Sequence, residues 1–210
     1  MPEVRRLARS AGRDGEIADA LWATGIHEAR LLATLMYEPR ALSLERCDVL
    51  LGDVISWDLC DHLCNSLFVQ MPEVDALIGR WREAETLYTR RAAFSLIASA
   101  ATHRRDLSSE QLGTYLDWIS GASRDARPHV RKAVAWALRE VGRHDLLHRD
   151  IALALASALL DSEDRTARWI GREARKELVT LVEVPGRRRL AADPGTRSQP
   201  RVTALTPEAP

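Results

Sequence analysis

Helix-breaking residues recur at short intervals along this chain, and the stretches between them carry apolar residues at helical spacing. Gly12, Gly15, Gly25, Pro39, Gly52, Pro72, Gly121 and Pro128 punctuate segments such as Leu112, Tyr115, Leu116 and Ile119, or Val130, Val134, Ala137 and Leu138. The pattern predicts helices over about 2–10, 17–37 (split at Thr24-Gly25, with Thr24 as a new N-cap), 43–51, 57 to about 70, 73–83, 86–101, 109–121, 128–141, 151–160 and 163–181. No strand-like alternation with hairpin turns is visible. Short amphipathic helices joined by short links bury their apolar faces by packing as antiparallel pairs and stacking the pairs, so an all-α helical-repeat array is expected, although no strict repeat period can be fixed.

The chain's 210 residues are enough to bury a sizeable core. No apolar run approaches the length of a membrane span, and Met1-Pro2-Glu3-Val4-Arg5-Arg6 opens no signal peptide. Cys47, Cys60 and Cys64 form no disulfide framework; Cys60 and Cys64, one helical turn apart, read as small buried hydrophobes. His144 and His148 are four apart, but the Gly142-Arg143-His144-Asp145 context reads as a helix end, which argues against a metal. From Pro185 onward the Pro/Gly/Arg-rich sequence reads as a disordered tail, giving a folded domain over 1–184 and a tail over 185–210. Within it, Arg187-Arg188-Arg189 is either an electrostatic arm or a solubilising run.

The formal charge is zero, yet its distribution is uneven. Residues 1–85 carry 9 basic and 15 acidic groups, residues 86–150 carry 11 and 7, residues 151–184 carry 5 and 6, and residues 185–210 carry 5 and 2. Positive charge therefore gathers in the middle and tail, where a phosphate backbone could be gripped, while overall neutrality predicts weak non-specific DNA binding.

Ser56-Trp57-Asp58-Leu59-Cys60-Asp61 stands out for its Trp-x-x-x-Asp spacing, with Ser56 a plausible N-cap. On a helix, Trp57 and Asp61 share one face, so an indole and a carboxylate project together. Two readings are open: a platform for a flat cation, or an indole packed inward with its acid at the solvated rim.

Four stretches occur in order: Leu21-Trp22-x-x-x-Ile26-His27-Glu28-x-Arg30 with Ala33, Ser56-Trp57-Asp58-x-x-Asp61, Arg90-Arg91-Ala92-Ala93-Phe94, and Arg131-Lys132-Ala133-Val134-Ala135-Trp136-Ala137-Leu138-Arg139-Glu140. Together they resemble the AlkD-type DNA alkylation-repair glycosylases over roughly residues 2–180. The resemblance implies a right-handed superhelical array of HEAT-like antiparallel helix pairs. It also implies excision of cationic N3- and N7-alkylated purines from duplex DNA in a concave groove, without drawing the base into a pocket. Trp57, Asp61, Arg91 and Trp136 match the family's functional positions. The family usually has one or two further helices ahead of the point where Met1-Pro2-Glu3 begins: either the true start lies upstream or this member lacks that cap, and any DNA contact that segment makes stays open with it.

The chemistry of these residues is coherent. An alkylated purine is already a cationic leaving group and needs no general acid; the developing charge is on the sugar, where Asp61 would stabilise it and orient water. Trp57 and Trp136 would wall the deoxyribose, and Arg91 would hold a phosphate beside the lesion. Arg131, Lys132, Arg139, Arg172, Arg175 and Lys176 are candidates for further phosphate contacts, while Trp22, Trp81, Trp118 and Trp169 are assigned structural roles. Neither metal nor cofactor is required. The expected partner is duplex DNA containing alkylated bases, met by a monomer in the cytoplasm, nucleoid-associated and with no membrane partner. On this reading the four site residues converge on one open surface, with the carboxylate between the indoles and unpaired by Arg91. Arg91 bound to an acid, and Trp136 buried in the core, are the plainer alternatives, and a non-catalytic DNA- or protein-binding module is the competing function.

Overall fold

The structure is a computed structural model and describes residues 2–193 and Gly195. Among them, eleven α-helices follow one another: α1 Pro2–Ala11, α2 Gly15–Ala23, α3 His27–Met36, α4 Leu44–Gly52, α5 Trp57–Ser66, α6 Val74–Trp81, α7 Leu87–His103, α8 Ser109–Gly121, α9 Pro128–Gly142, α10 Leu146–Leu160 and α11 Arg165–Leu178. Short 3-10 turns occupy Pro39–Ala41 and Phe68–Gln70.

Local chemistry sets most boundaries. Asp14, Ser43, Ser108, Asp145 and Asp164 cap α2, α4, α8, α10 and α11 by accepting first-turn backbone N–H bonds, and Ser108 with Gln111 forms a full capping box. Asp145 starts α10 five residues earlier than the apolar pattern alone suggests, because the cap captures the polar turn ahead of Ile151. Two capping expectations fail. Thr24 closes α2, Ile26 stands at the start of α3 without a side-chain cap bond, and Ser56 precedes α5 without bonding a first-turn N–H.

Cross-helix contacts reveal the layering. Asp61 meets Ser95 and Asn65 meets Ser99, both at an offset of 34 residues, while Arg91 meets the His129 carbonyl and Thr102 meets Glu140, both at 38. A constant offset along two helices means that they run parallel. The same holds for α9 with α11 (Arg131–Trp169, Arg139–Glu177), and α3 also runs along α5 in the same direction, since His27 meets Asp58 and the later Thr34 meets the later His62. The odd-numbered helices from α3 to α11 thus form one parallel layer. The intervening helices return the chain and form the second, laced by Trp81 to Asp48 and Tyr115 to Asp75. This is the expected all-α array of HEAT-like antiparallel helix pairs.

The core lies between the layers. Every residue from Arg91 to Ala101 on α7 is buried, so α7 is the central strut. Its small residues let α5, α6 and α9 approach closely. Cys47, Cys60 and Cys64 are free and buried, as expected of small hydrophobes.

The segment beginning at Pro185 departs from expectation. Leu181–Val182 (β1) and Ala191–Ala192 (β2) pair antiparallel around a turn with Gly186 at φ 76°. Leu190 is buried, and its N–H reaches the Arg143 carbonyl at 2.9 Å. Residues 190–193 are therefore packed against the repeats with Leu190 as the apolar anchor, while Pro185 to Arg188 form an exposed turn. Apart from Gly195, the remainder of the assigned tail lies outside the described residues.

Candidate lesion site at the α5–α7–α9 seam

Asp61 lies on α5 with Ser95 opposite it on α7, and its carboxylate is closely held. Oδ1 accepts from Arg91 Nε at 3.0 Å and from Ser95 Oγ at 2.8 Å, while Oδ2 accepts from Arg91 Nη2 at 2.7 Å. The expectation that Arg91 would leave this acid unpaired is therefore corrected. The reason is burial: Arg91 is 6% exposed, and a guanidinium at that depth must find an anion and acceptors of its own. Its Nη1 donates to the His129 carbonyl at 2.6 Å, so Nε and both terminal nitrogens are engaged. Arg91 is consequently no exposed phosphate ligand; it holds Asp61 in place.

Trp57 inverts the plain reading of the Trp-x-x-x-Asp face. The indole is 53% exposed, whereas the Asp61 side chain is only 17% exposed. The Arg91 guanidinium lies 6.0 Å from the Trp57 ring centroid, within cation–π range. Trp57, Asp61 and Arg91 thus form one cluster, with an indole at its solvent edge.

Trp136 shares no hydrogen bond, aromatic pair or cation–π contact with Trp57, Asp61 or Arg91 among the described residues, and packs partly buried against the core; only its level along the stack can be compared with theirs. Carrying the α7–α9 offset of 38 back from Trp136 gives position 98, and the α5–α7 offset of 34 takes 98 to 64, about one turn beyond Asp61. Trp57 is one turn before it. In level along the helix direction, positions 57 and 136 thus fall on either side of Asp61. Trp136 is partly buried, and its Nε1 lies 3.3 Å from Glu140 Oε1. Sequence reasoning missed Ser95, the His129 carbonyl and Glu140. Ser95 was legible as the position one turn after Arg91, and Glu140 as one turn after Trp136, but their roles needed the helix offsets.

The phosphate candidates divide. Lys132, Arg172 and Arg175 are exposed and outside every ion pair among the described residues. Lys176 is exposed but pairs with Glu173, and Arg139 is tied to Glu177. Arg131 lies 4.7 Å over the Trp169 ring, giving that tryptophan a cation-stacking contact. Trp22 and Trp81 are core residues whose indole N–H groups bond Asp53 and Asp48, and Trp118 is capped by Arg82.

Two histidine clusters lie outside this seam. The half-buried His62 ring hydrogen-bonds Thr34 Oγ1 through Nδ1. Burial, then the nearby Arg5, pushes its pKa down to about 4. His144 and His148 both reach the Asp145 carboxylate. Burial pushes that acid up, but the His148 backbone N–H and both imidazoles overcome this and hold it at about 2.

Comparison with known proteins agrees with this architecture. A family model described as "DNA alkylation repair enzyme" matches residues 1–178. No curated protein matches the chain. Among solved structures, one described as "a new family of proteins related to the HEAT-like repeat DNA glycosylases with affinity for branched DNA structures" is similar at 16% identity and TM-score 0.69, covering 91% of this chain and 74% of that one. The crystal structure of smu.31 from Streptococcus mutans UA159 is similar at 18% identity and TM-score 0.58, covering 83% of this chain and 90% of that one. At such identities these likenesses carry the fold alone. With its repeat architecture and a family match that spans all eleven helices, the chain belongs to the DNA alkylation repair enzyme family.

Proposed function

We propose that this protein is a monofunctional glycosylase that hydrolyses the N-glycosidic bond of cationic N3- or N7-alkylated purines in duplex DNA. The observation that carries the reading is the Asp61 carboxylate, fixed by Arg91 and Ser95 beside a half-exposed indole. A carboxylate offers about four lone-pair directions. Three are taken, two on Oδ1 and one on Oδ2, so Oδ2 keeps one for a substrate or water.

The chemistry needs little more. As the C1′–N bond breaks, its electron pair neutralises the departing purine, and positive charge develops on the sugar. Asp61 Oδ2 faces that charge and orients the water that adds to C1′, whose proton leaves to solvent. Trp57 and Trp136 flank the deoxyribose. Lys132, Arg172 and Arg175 supply the phosphate contacts that Arg91 cannot.

A second reading, a repeat module that holds DNA without chemistry, is favoured by one observation: the guanidinium bound to Asp61 offsets the charge that catalysis would use. The affinity for branched DNA in the description of one similar structure suits this reading. Release of 7-methylguanine from methylated duplex DNA separates the two. The glycosylase predicts release by the wild type and loss in Asp61→Asn. A folded wild type that binds DNA and releases nothing identifies the module.

A further inference from the structure

We propose that the β1–β2 hairpin completes the lesion site, with Arg189 acting as a positioning residue for the Trp136 indole through Glu140; the functional weight of this rests on Trp136 being a wall of that site. Arg189 Nη2 donates to Glu140 Oε2 at 2.7 Å and to the Glu140 carbonyl at 2.8 Å. Thr102 Oγ1 lies 3.2 Å from the same Oε2. The other carboxylate oxygen, Oε1, takes the Trp136 indole N–H.

Each link has a physical reason to matter. Trp136 and Glu140 are one turn apart on α9, so their side chains meet, but a single 3.3 Å bond to a flexible Glu orients an indole weakly. Arg189 removes that flexibility by holding both the carboxylate and the carbonyl of the same residue. The Glu140 and Arg189 side chains are 16% and 22% exposed, so the charge-assisted bond is largely shielded from water. Arg189 Nε is buried without a partner, which leaves the Glu140 contacts as the ones holding the guanidinium. Anchoring the hairpin does not require this contact, since buried Leu190, its N–H to the Arg143 carbonyl and the Arg149 Nη1 bond to the Leu181 carbonyl already do that. The guanidinium instead reaches across 49 residues to the helix face that carries Trp136.

The test labels the protein with 5-fluorotryptophan and assigns the Trp136 fluorine resonance by its loss in Trp136→Phe. In Arg189→Ala the Trp136 resonance shifts or broadens while those of Trp22 and Trp81 stay fixed, and Arg189→Lys returns it part of the way. Single-turnover release of 7-methylguanine falls roughly three- to tenfold in Arg189→Ala with DNA affinity kept, as expected for a misplaced wall. That loss disappears when Trp136 is already Phe. Glu140→Gln, which keeps the acceptor for the indole and loses the ion pair, gives an intermediate shift. An unmoved Trp136 resonance in a folded Arg189→Ala protein overturns the relay, and so does a moved resonance with unchanged release. If the wild type releases no base, the glycosylase reading fails, and the fluorine spectra alone decide whether Arg189 positions Trp136.

Discussion

Ser95 Oγ donates to Asp61 Oδ1 at 2.8 Å, and that oxygen also accepts Arg91 Nε at 3.0 Å. Arg91 and Ser95 are one turn apart on α7, so a single helix supplies both groups that fix the acid on its neighbour. Removing the hydroxyl leaves the guanidinium fork as the only restraint. We expect Ser95→Ala to lower base release while keeping the fold, with a stability loss of about 1–2 kcal/mol from the hydrogen bond to a charged group. Single-turnover release and chemical denaturation measure the two effects.

Arg91 should behave differently. Arg91→Ala strands a mostly buried carboxylate with only the Ser95 hydroxyl as partner, so a loss of about 3–5 kcal/mol is expected. Asp61→Asn keeps an acceptor for the guanidinium and should cost less stability while abolishing release. Denaturation midpoints that place Asp61→Asn below Arg91→Ala would contradict this order.

The close approach of α10 and α11 depends on Gly171. A Cβ there would meet the Ala156 carbonyl oxygen at 2.5 Å and Leu159 Cβ at 3.0 Å, and backbone cannot swing aside. Gly171→Ala should destabilise by about 1–3 kcal/mol, as overpacking does. At Gly142 the first clash is with the movable Leu178 side chain, although Ala152 Cβ also lies at 2.9 Å. Gly142→Ala is therefore expected to be the milder substitution in thermal melts.

His62 gives stability a pH dependence. Its folded pKa of about 4 lies below the ordinary 6.5, so the unfolded chain binds more protons between these values. Its contribution is complete above about pH 6.5 and is lost as pH falls towards about 4, by about 1–3 kcal/mol after allowing for incomplete burial. Melts across this range should show a shallower slope in His62→Gln than in the wild type.

Phosphate contacts leave a salt signature. If Lys132, Arg172 and Arg175 touch the duplex, replacing each with Gln should lower the slope of log K against log salt by about 0.9. Arg139 and Lys176, already paired with Glu177 and Glu173, should change it less. Equal slopes for all five variants would move the DNA to another surface.

The sequence by itself determined the helices, because caps and breakers act within a few residues: Ser43, Ser108, Pro128 and Gly121 mark their boundaries without help from the rest of the chain. It also determined that Trp57 and Asp61 share a face, since one turn of helix is local geometry. Only the tertiary structure decided which of the two would be buried, because that depends on α7 lying alongside α5 and bringing Arg91 and Ser95 to the carboxylate. The hairpin was likewise illegible: its strands are two residues each, too short for a periodic signal, and what orders them is contact with Arg143 and Glu140 far back along the chain. Local order follows from local chemistry, whereas pairing a buried charge or docking a short strand takes partners that only the folded stack brings within reach.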